Sequence, residues 1–430
     1  MSGILIYFPF IYFLILFLFI YRQNGFDVAS LVAFLYVVTS AFAIPYWYGF
    51  SPGSRIEINI IPTFFYCLGI TVVIYPFYKF KSNRAITVRM ANSKLFDFIV
   101  YFYFISFVFM LILLWQDMMI RLAMGDAIGE LRGADDAYLD TAQSRLVGPL
   151  RFISNVFAVM NSISPIMFMF FFYSICFLHK KWWFNMIILL SSLGTIIASI
   201  IGIDRSMVFY FIIEMFLAYV IFKRYIPKKK KIYIYLFGGL ILFGAVSYMV
   251  MLTMSRFGQG DNDIAKSSVI DYAGQSFIYF CFFWDNFQLP ELNPAIFFPI
   301  TNHFLGGQGA VAYGYELELS QGFFINQFYT FMGSIMIYMG KFVAILYCFV
   351  YAFIARIVLK RSKRIVSFSS LLLLFIFAII PYCGAILYIL TDYIREMGYI
   401  IMLIAAHYLR KGTRKVKYKT KHKNAKTALV

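Results

Sequence analysis

Apolar runs of about twenty residues follow one another along almost the whole chain, separated by polar segments. A run of that length crosses a bilayer hydrocarbon core of about 30 Å as a helix. Taken in order, the runs predict eleven spans, at roughly 3–21, 29–49, 58–79, 96–115, 150–178, 184–202, 206–222, 232–253, 331–357, 367–389 and 393–409. The first run, Ile4 to Ile20, has no basic stretch before it and no small-residue cleavage site after it. It is expected as a retained helix rather than a removed leader. The even spread leaves no room for a soluble domain. The fold class is all-α, a polytopic membrane protein forming one integral membrane domain over 1–430.

The segments between the runs sort by charge. After the first span comes Arg22. After the third come Lys79, Lys81, Arg84, Arg89 and Lys94; after the fifth, Lys180 and Lys181. Lys223, Arg224 and Lys228 to Lys231 follow the seventh, and Arg356, Lys360, Arg361, Lys363 and Arg364 the ninth. The tail 410–430 adds nine more. These make 28 of the 38 lysines and arginines, and all of them follow odd-numbered spans. By the positive-inside rule the N-terminus lies outside and the C-terminus in the cytoplasm. Most acids fall on the other side, in an external loop at 116–149 and a larger one at 254–330. In the larger loop, Val269 to Phe287 and Ala295 to Leu305 are apolar but too polar or too short to span. They are expected as amphipathic or re-entrant helices at the outer interface. No internal repeat is visible, so the repeat signature of many transporters is missing.

Composition agrees. The chain is 62% hydrophobic and 13% charged, where a soluble domain carries about 25% charged residues. The net charge of +18 would suggest nucleic acid in a soluble protein; here the topology signal accounts for it, and no nucleic-acid partner is expected. Cys67, Cys176, Cys281, Cys348 and Cys383 are scattered through apolar runs without Cys-x-x-Cys spacing. They read as small buried apolar residues, with no disulfide, metal or other cofactor expected.

Ten cations remain outside the cytoplasmic set, and eight of them are arginines. Arginine grips phosphate with a rigid fork and does not deprotonate. The group therefore points to an anionic ligand, although each arginine could equally pair with an external acid or reach lipid phosphate. Arg132 lies between Gly129 and Gly133, where backbone can approach a ligand closely. Arg145 and Arg151 flank Gly148–Pro149. In the turn Gly202 to Ser206, Asp204 would orient Arg205 at a helix start that favours an anion. Arg256 opens the long loop, and Arg395 stands near the start of the last span as a supporting cation. His303 is the histidine expected outside and a candidate for proton transfer. Glu316 and Glu318 are alternative bases. Glu214 lies inside the seventh span, a candidate partner for an arginine or for a substrate path. Tyr272, Tyr279, Trp284, Phe297, Phe298, Tyr313, Tyr315 and Tyr329 are dense enough for a saccharide groove, or for an interfacial aromatic belt. No P-loop, Gly-x-Ser-x-Gly or His-Glu-x-x-His motif is present.

The plan resembles the Wzy-type oligosaccharide repeat-unit polymerases of bacterial O-antigen and capsule assembly. The resemblance rests on ten-odd spans, one large late external loop, an earlier arginine-bearing loop and the short arginine turn Gly202 to Ser206. The stretch Asn326 to Ser334, running on to Gly340, looks like that family's return from loop to helix. It implies a GT-C-like fold in the bacterial inner membrane and a glycosyltransferase reaction. Repeat units linked to undecaprenyl diphosphate would be joined into O-antigen, as in lipopolysaccharide, or into capsular polysaccharide. Arg132, Arg205 and Arg256 match best as the arginines that hold the diphosphate, with Arg145 and Arg151 as further candidates, and a histidine or carboxylate would take the acceptor proton. Membrane lipids, a chain-length regulator and a flippase are the implied partners. An O-antigen ligase would share the plan and differ in its acceptor. A flippase for lipid-linked glycan remains the non-enzymatic alternative; the 77 residues of the 254–330 loop count against it.

Overall fold

The computed structural model describes residues 2–49, 56–80, 87–123, 146–202, 205–257, 262–288, 299–304, 318–322, 329–359, 365–386, 393–410 and 415–417. Helices dominate. Among the described residues seven are long and apolar enough to cross a membrane, and an eighth span is added if a bent pair counts as one. The chain is therefore a multi-pass helical membrane protein. We number the main helices α1 (Phe8–Asn24), α2 (Val28–Gly49), α3 (Ile60–Phe80), α4 (Ser93–Leu113), α5 (Trp115–Ala123), α6 (Gly148–Ser162) and α7 (Met167–Tyr173). They continue with α8 (Trp182–Ser191), α9 (Gly194–Gly202), α10 (Arg205–Phe222), α11 (Lys228–Phe257), α12 (Asn262–Asn286), α13 (Pro299–Phe304), α14 (Phe331–Val358), α15 (Phe368–Cys383) and α16 (Tyr393–Leu409). Each expected span overlaps one or two of these helices. Those at 206–222, 367–389 and 393–409 correspond to helices of 16 to 18 residues.

Of the two alternatives for the stretch 269–287, the amphipathic one fails: the stretch is part of a continuous helix, α12, in which residues 274–281 are buried in an unbroken row. A helix that is apolar on all sides belongs in a core. α12 packs along α2 and against α3 and α14. Gly274 permits the approach, since a Cβ there would sit 2.5 Å from the Phe42 carbonyl oxygen. Around this contact Phe13, Tyr36, Tyr66, Phe277 and Phe280 form an aromatic centre with ring centroids 5.0–6.3 Å apart. Of the second stretch, the described part is α13, whose Thr301, His303 and Phe304 are exposed.

One proline inside a helix has an identifiable compensation. Pro381 has no amide hydrogen to give the Phe377 carbonyl, four residues back; the Tyr351 hydroxyl donates to that oxygen instead. In an apolar medium an orphaned carbonyl is costly, so such a repair is required. α14 is broken at Gly340, whose φ of 85° suits glycine.

A small sheet departs from the all-α expectation. β1 (Thr87–Arg89) pairs in parallel with β2 (Ile365–Ser367) and antiparallel with β3 (Lys415–Lys417), with Val88 facing Val366 and Val416. It draws the segments after the third, ninth and last expected spans to one end of the bundle, as their shared positive charge requires. Asn92 N donates to Leu409 O, which fixes the end of α16 beside the start of α4. α4 and α6 run antiparallel, with Ser154 against Met110 and Asn161 against Ser106. The starts of α6 and α16 therefore share the end of the bundle opposite the sheet.

Candidate functional site

The first turn of α16 gathers polar groups from three elements. Glu396 Oε2 accepts a hydrogen bond from Ile300 N at 2.9 Å, an amide of the first turn of α13 with no partner inside its own helix. His303, also on α13, lies flat on Tyr393 with ring centroids 3.8 Å apart and planes 7° apart. Between Tyr393 and Glu396, half-buried Arg395 lies within electrostatic reach of Glu214 on α10. Both charges also act on Cys383 and Tyr399, and Tyr399 in turn neighbours Tyr103.

This interior group is unusual for a membrane protein. Glu214 is only 6% exposed. Its Oε2 and the Tyr103 hydroxyl are buried and make no hydrogen bond with the described residues. Buried polar atoms are normally satisfied, and an orphan calls for a water, an ion or a ligand. An ionisable group at this depth is expensive unless it is paired, and it usually marks a functional path.

The wall beside the group is a broken helix. α6 ends at Ser162, a 3₁₀ turn follows at Ser164–Ile166, and the chain resumes in α7 bent by 55°. Side chains replace the lost backbone bonds. Asn161 Nδ2 donates to Ser106 Oγ and to Phe157 O, both at 2.8 Å; Thr195 N donates to Ser164 Oγ at 2.8 Å and Thr195 Oγ1 to Asn161 O at 3.1 Å. Gly194 leaves the space that the Asn161 side chain fills. α16 passes this break closely, since a Cβ on Gly398 would lie 3.0 Å from Ile163 and 3.1 Å from Val159 O. Discontinuous helices in membranes line cavities or binding sites, because irregular backbone is tolerated only there or where protein buries it.

Other arginines stand at the same end. Arg121 on α5 donates to Ile201 O at the end of α9. Arg151 is exposed in the first turn of α6, and Arg205 opens α10. α5, α6 and α10 all pack on α9, so these positions are neighbours in the fold.

The structure thus brings His303 against the helix turn that carries Arg395, and Arg395 within electrostatic reach of Glu214. Glu318 falls elsewhere, near Tyr329 at the start of α14. Arg132, Arg145, Asp204 and Glu316 lie outside the described residues, as do the side chains of Arg205 and Arg256. Tyr393, Glu396, Tyr399 and Tyr103 were not singled out by sequence. The spacing of the first three on α16 resembles any helix face, Tyr103 is one of many aromatics on α4, and only the orphaned hydroxyl and the stack distinguish the group. Among the described residues no three of His, Cys, Asp and Glu are grouped as metal ligands.

No family model, no curated protein and no solved structure matches the chain.

Proposed function

We propose that the protein is a polysaccharide polymerase that joins lipid-diphosphate-linked oligosaccharide repeat units at the outer face of a bacterial plasma membrane. The observation that carries this reading is the convergence of Arg395, Glu214 and His303 beside a broken helix, at the end of the bundle remote from the basic sheet. A diphosphate leaving group needs fixed positive charge as its bond to the anomeric carbon breaks. Arginines supply that charge in a water-poor site at little reorganisation cost. The acceptor hydroxyl attacks the anomeric carbon and gives its proton to a base; His303 is exposed and held flat by Tyr393, and is the base we favour. Glu214 keeps Arg395 oriented within the bundle. Eleven spans, with the N-terminus outside and the C-terminus in the cytoplasm, complete the reading.

The broken helix also suits a second reading, a flippase for the same lipid-linked glycan. One experiment separates them. The purified protein in nanodiscs is given lipid-diphosphate-linked repeat units with no nucleotide donor. A ladder of longer glycans on a gel supports the polymerase. No ladder, with transfer of the unit between leaflets in liposomes, supports the flippase.

A further inference from the structure

The largest unexplained concentration of charge lies at the opposite, basic end. A shallow, open cleft of about 370 Å³ is lined by Phe26, Tyr219, Lys223, Arg224 and Lys231. Phe26 belongs to the connection between α1 and α2, Lys223 and Arg224 to the turn after α10, and Lys231 to the first turn of α11. Three cations and two aromatic rings line the cleft, with no acid among them.

The nearby carboxylate offsets at most one of the three cations. Asp27 is 1% exposed and engaged in starting α2: its Oδ1 accepts from Ser30 N at 3.1 Å, while Asp27 N donates to Ser30 Oγ at 2.7 Å. Its field reaches Lys223, whose Nζ lies 4.6 Å from the centre of the Phe26 ring. Helix polarity adds to the imbalance. Four lysines open α11, at the helix end whose free amides already carry partial positive charge, where cations are unfavourable and anions are held. The lysines are also not equivalent. Lys230 Nζ donates to Ile175 O at 3.2 Å, Lys228 and Lys229 are exposed, and Lys231 lines the cleft. Positive charge that served topology alone would not need this sorting.

An apolar strip continues from the cations. Ile232, Tyr235, Leu236 and Leu240 are exposed on the first turns of α11, and Phe216 is exposed on α10 beneath Tyr219. A soluble phosphate would use the cations and ignore this strip; a phospholipid uses both. We propose that the cleft binds the phosphate headgroup of an anionic membrane lipid, with its acyl chains lying along the strip between α10 and α11. Arg224 takes the phosphate by its fork, Lys223 and Lys231 supply point charges, and the Tyr219 hydroxyl, 3.1 Å from that of Tyr235, adds a polar group at the rim.

The test uses the full-length protein in mild detergent, with phosphatidylglycerol or phosphatidylcholine added and retained lipid read by native mass spectrometry. Phosphatidylglycerol should be retained at least fivefold better than phosphatidylcholine. The Lys223→Gln/Lys231→Gln variant should lose that excess, and Arg224→Gln, a second route should the double variant fail to fold, should lose most of it. Lys228→Gln/Lys229→Gln removes the same charge from exposed positions and should keep it. Equal retention of the two lipids overturns the proposal. So does equal loss from the cleft and exposed pairs, or retention by a folded Arg224→Gln. Displacement of the lipid by millimolar glycerol 3-phosphate would assign the cleft to a soluble phosphate and overturn the lipid assignment.

Discussion

The imidazole of His303 and the phenol ring of Tyr393 lie parallel, 3.8 Å apart. The stack holds a histidine of the short helix α13 over the first turn of α16, two residues before Arg395. If His303 takes the acceptor proton, His303→Ala should lower the rate of polymer growth by about 10²-fold or more. Tyr393→Phe keeps the ring face and should leave kcat near its normal value. Tyr393→Leu should lower kcat more than it raises KM, since the base is misplaced while substrate binding is spared. Full activity of His303→Ala would remove it from the chemistry.

Glu214 and Arg395 should behave as a coupled pair. Arg395→Met removes the cation whose field reaches the buried Glu214 carboxylate, and a coupling loss of about 0.5–3 kcal/mol is expected. Adding Glu214→Gln removes the stranded charge and should recover a good part of that loss. A double-mutant cycle from unfolding in detergent gives the coupling. Additive losses would mean that the two charges do not sense each other.

The arginines of the polar loops are tested by activity. Arg132→Ala, Arg205→Ala and Arg256→Ala should each abolish polymer while the protein still inserts normally. Lysine at these positions should rescue poorly, because a point charge cannot reproduce the bidentate grip. Full polymer from all three alanine variants would discard them as diphosphate ligands.

Gly274→Ala should loosen the docking of α12 on α2. The obstacle is the backbone oxygen of Phe42, 2.5 Å from the new Cβ, and a backbone atom cannot swing aside. The cost should be about 1–3 kcal/mol, as for other overpacked cores. Gly239→Ala in α11 meets nothing within 4 Å and should be neutral or stabilising by up to about 1 kcal/mol. Thermal unfolding in one detergent compares the two.

Burial lifts the Asp27 carboxyl from 3.8 to about 6, against the opposing effect of its hydrogen bonds with Ser30 and of the Lys223 charge. The folded state therefore holds a proton that the unfolded state has released between these values, and stability falls as pH rises through that window. Below pH 3.8 neither state is penalised; above about 6 the full cost applies, on the order of 3 kcal/mol. Asp27→Asn should remove this component of the pH dependence. Lys223→Met should move its upper limit to higher pH. Unfolding midpoints measured from pH 4 to 7 decide both.

Much of the architecture was legible in the chain. Runs of twenty apolar residues fix membrane-crossing helices because a bilayer offers no other partner for backbone polar groups. The segments 87–89, 365–367 and 415–417, each beside a cluster of cations, meet in one sheet at one end of the bundle. The strands that join them were not legible, since three residues carry no pattern and pair only once the helices have placed them. The amphipathic alternative for α12 rested on the interspersed Asp271, Gln275 and Asp285; whether such a stretch is buried depends on the groove that α2, α3 and α14 provide.

The site divides in the same way. Sequence alone marked which charges topology does not explain, and so singled out His303, Glu214 and Arg395. It did not decide which of them meet, because charge counts carry no distances. Tertiary structure brought Arg395 within electrostatic reach of Glu214, stacked His303 on Tyr393 and passed Gly398 along the break at Ile163. Local sequence determines what a segment can bury. Only packing among segments far apart in the chain determines which polar groups are left facing one another.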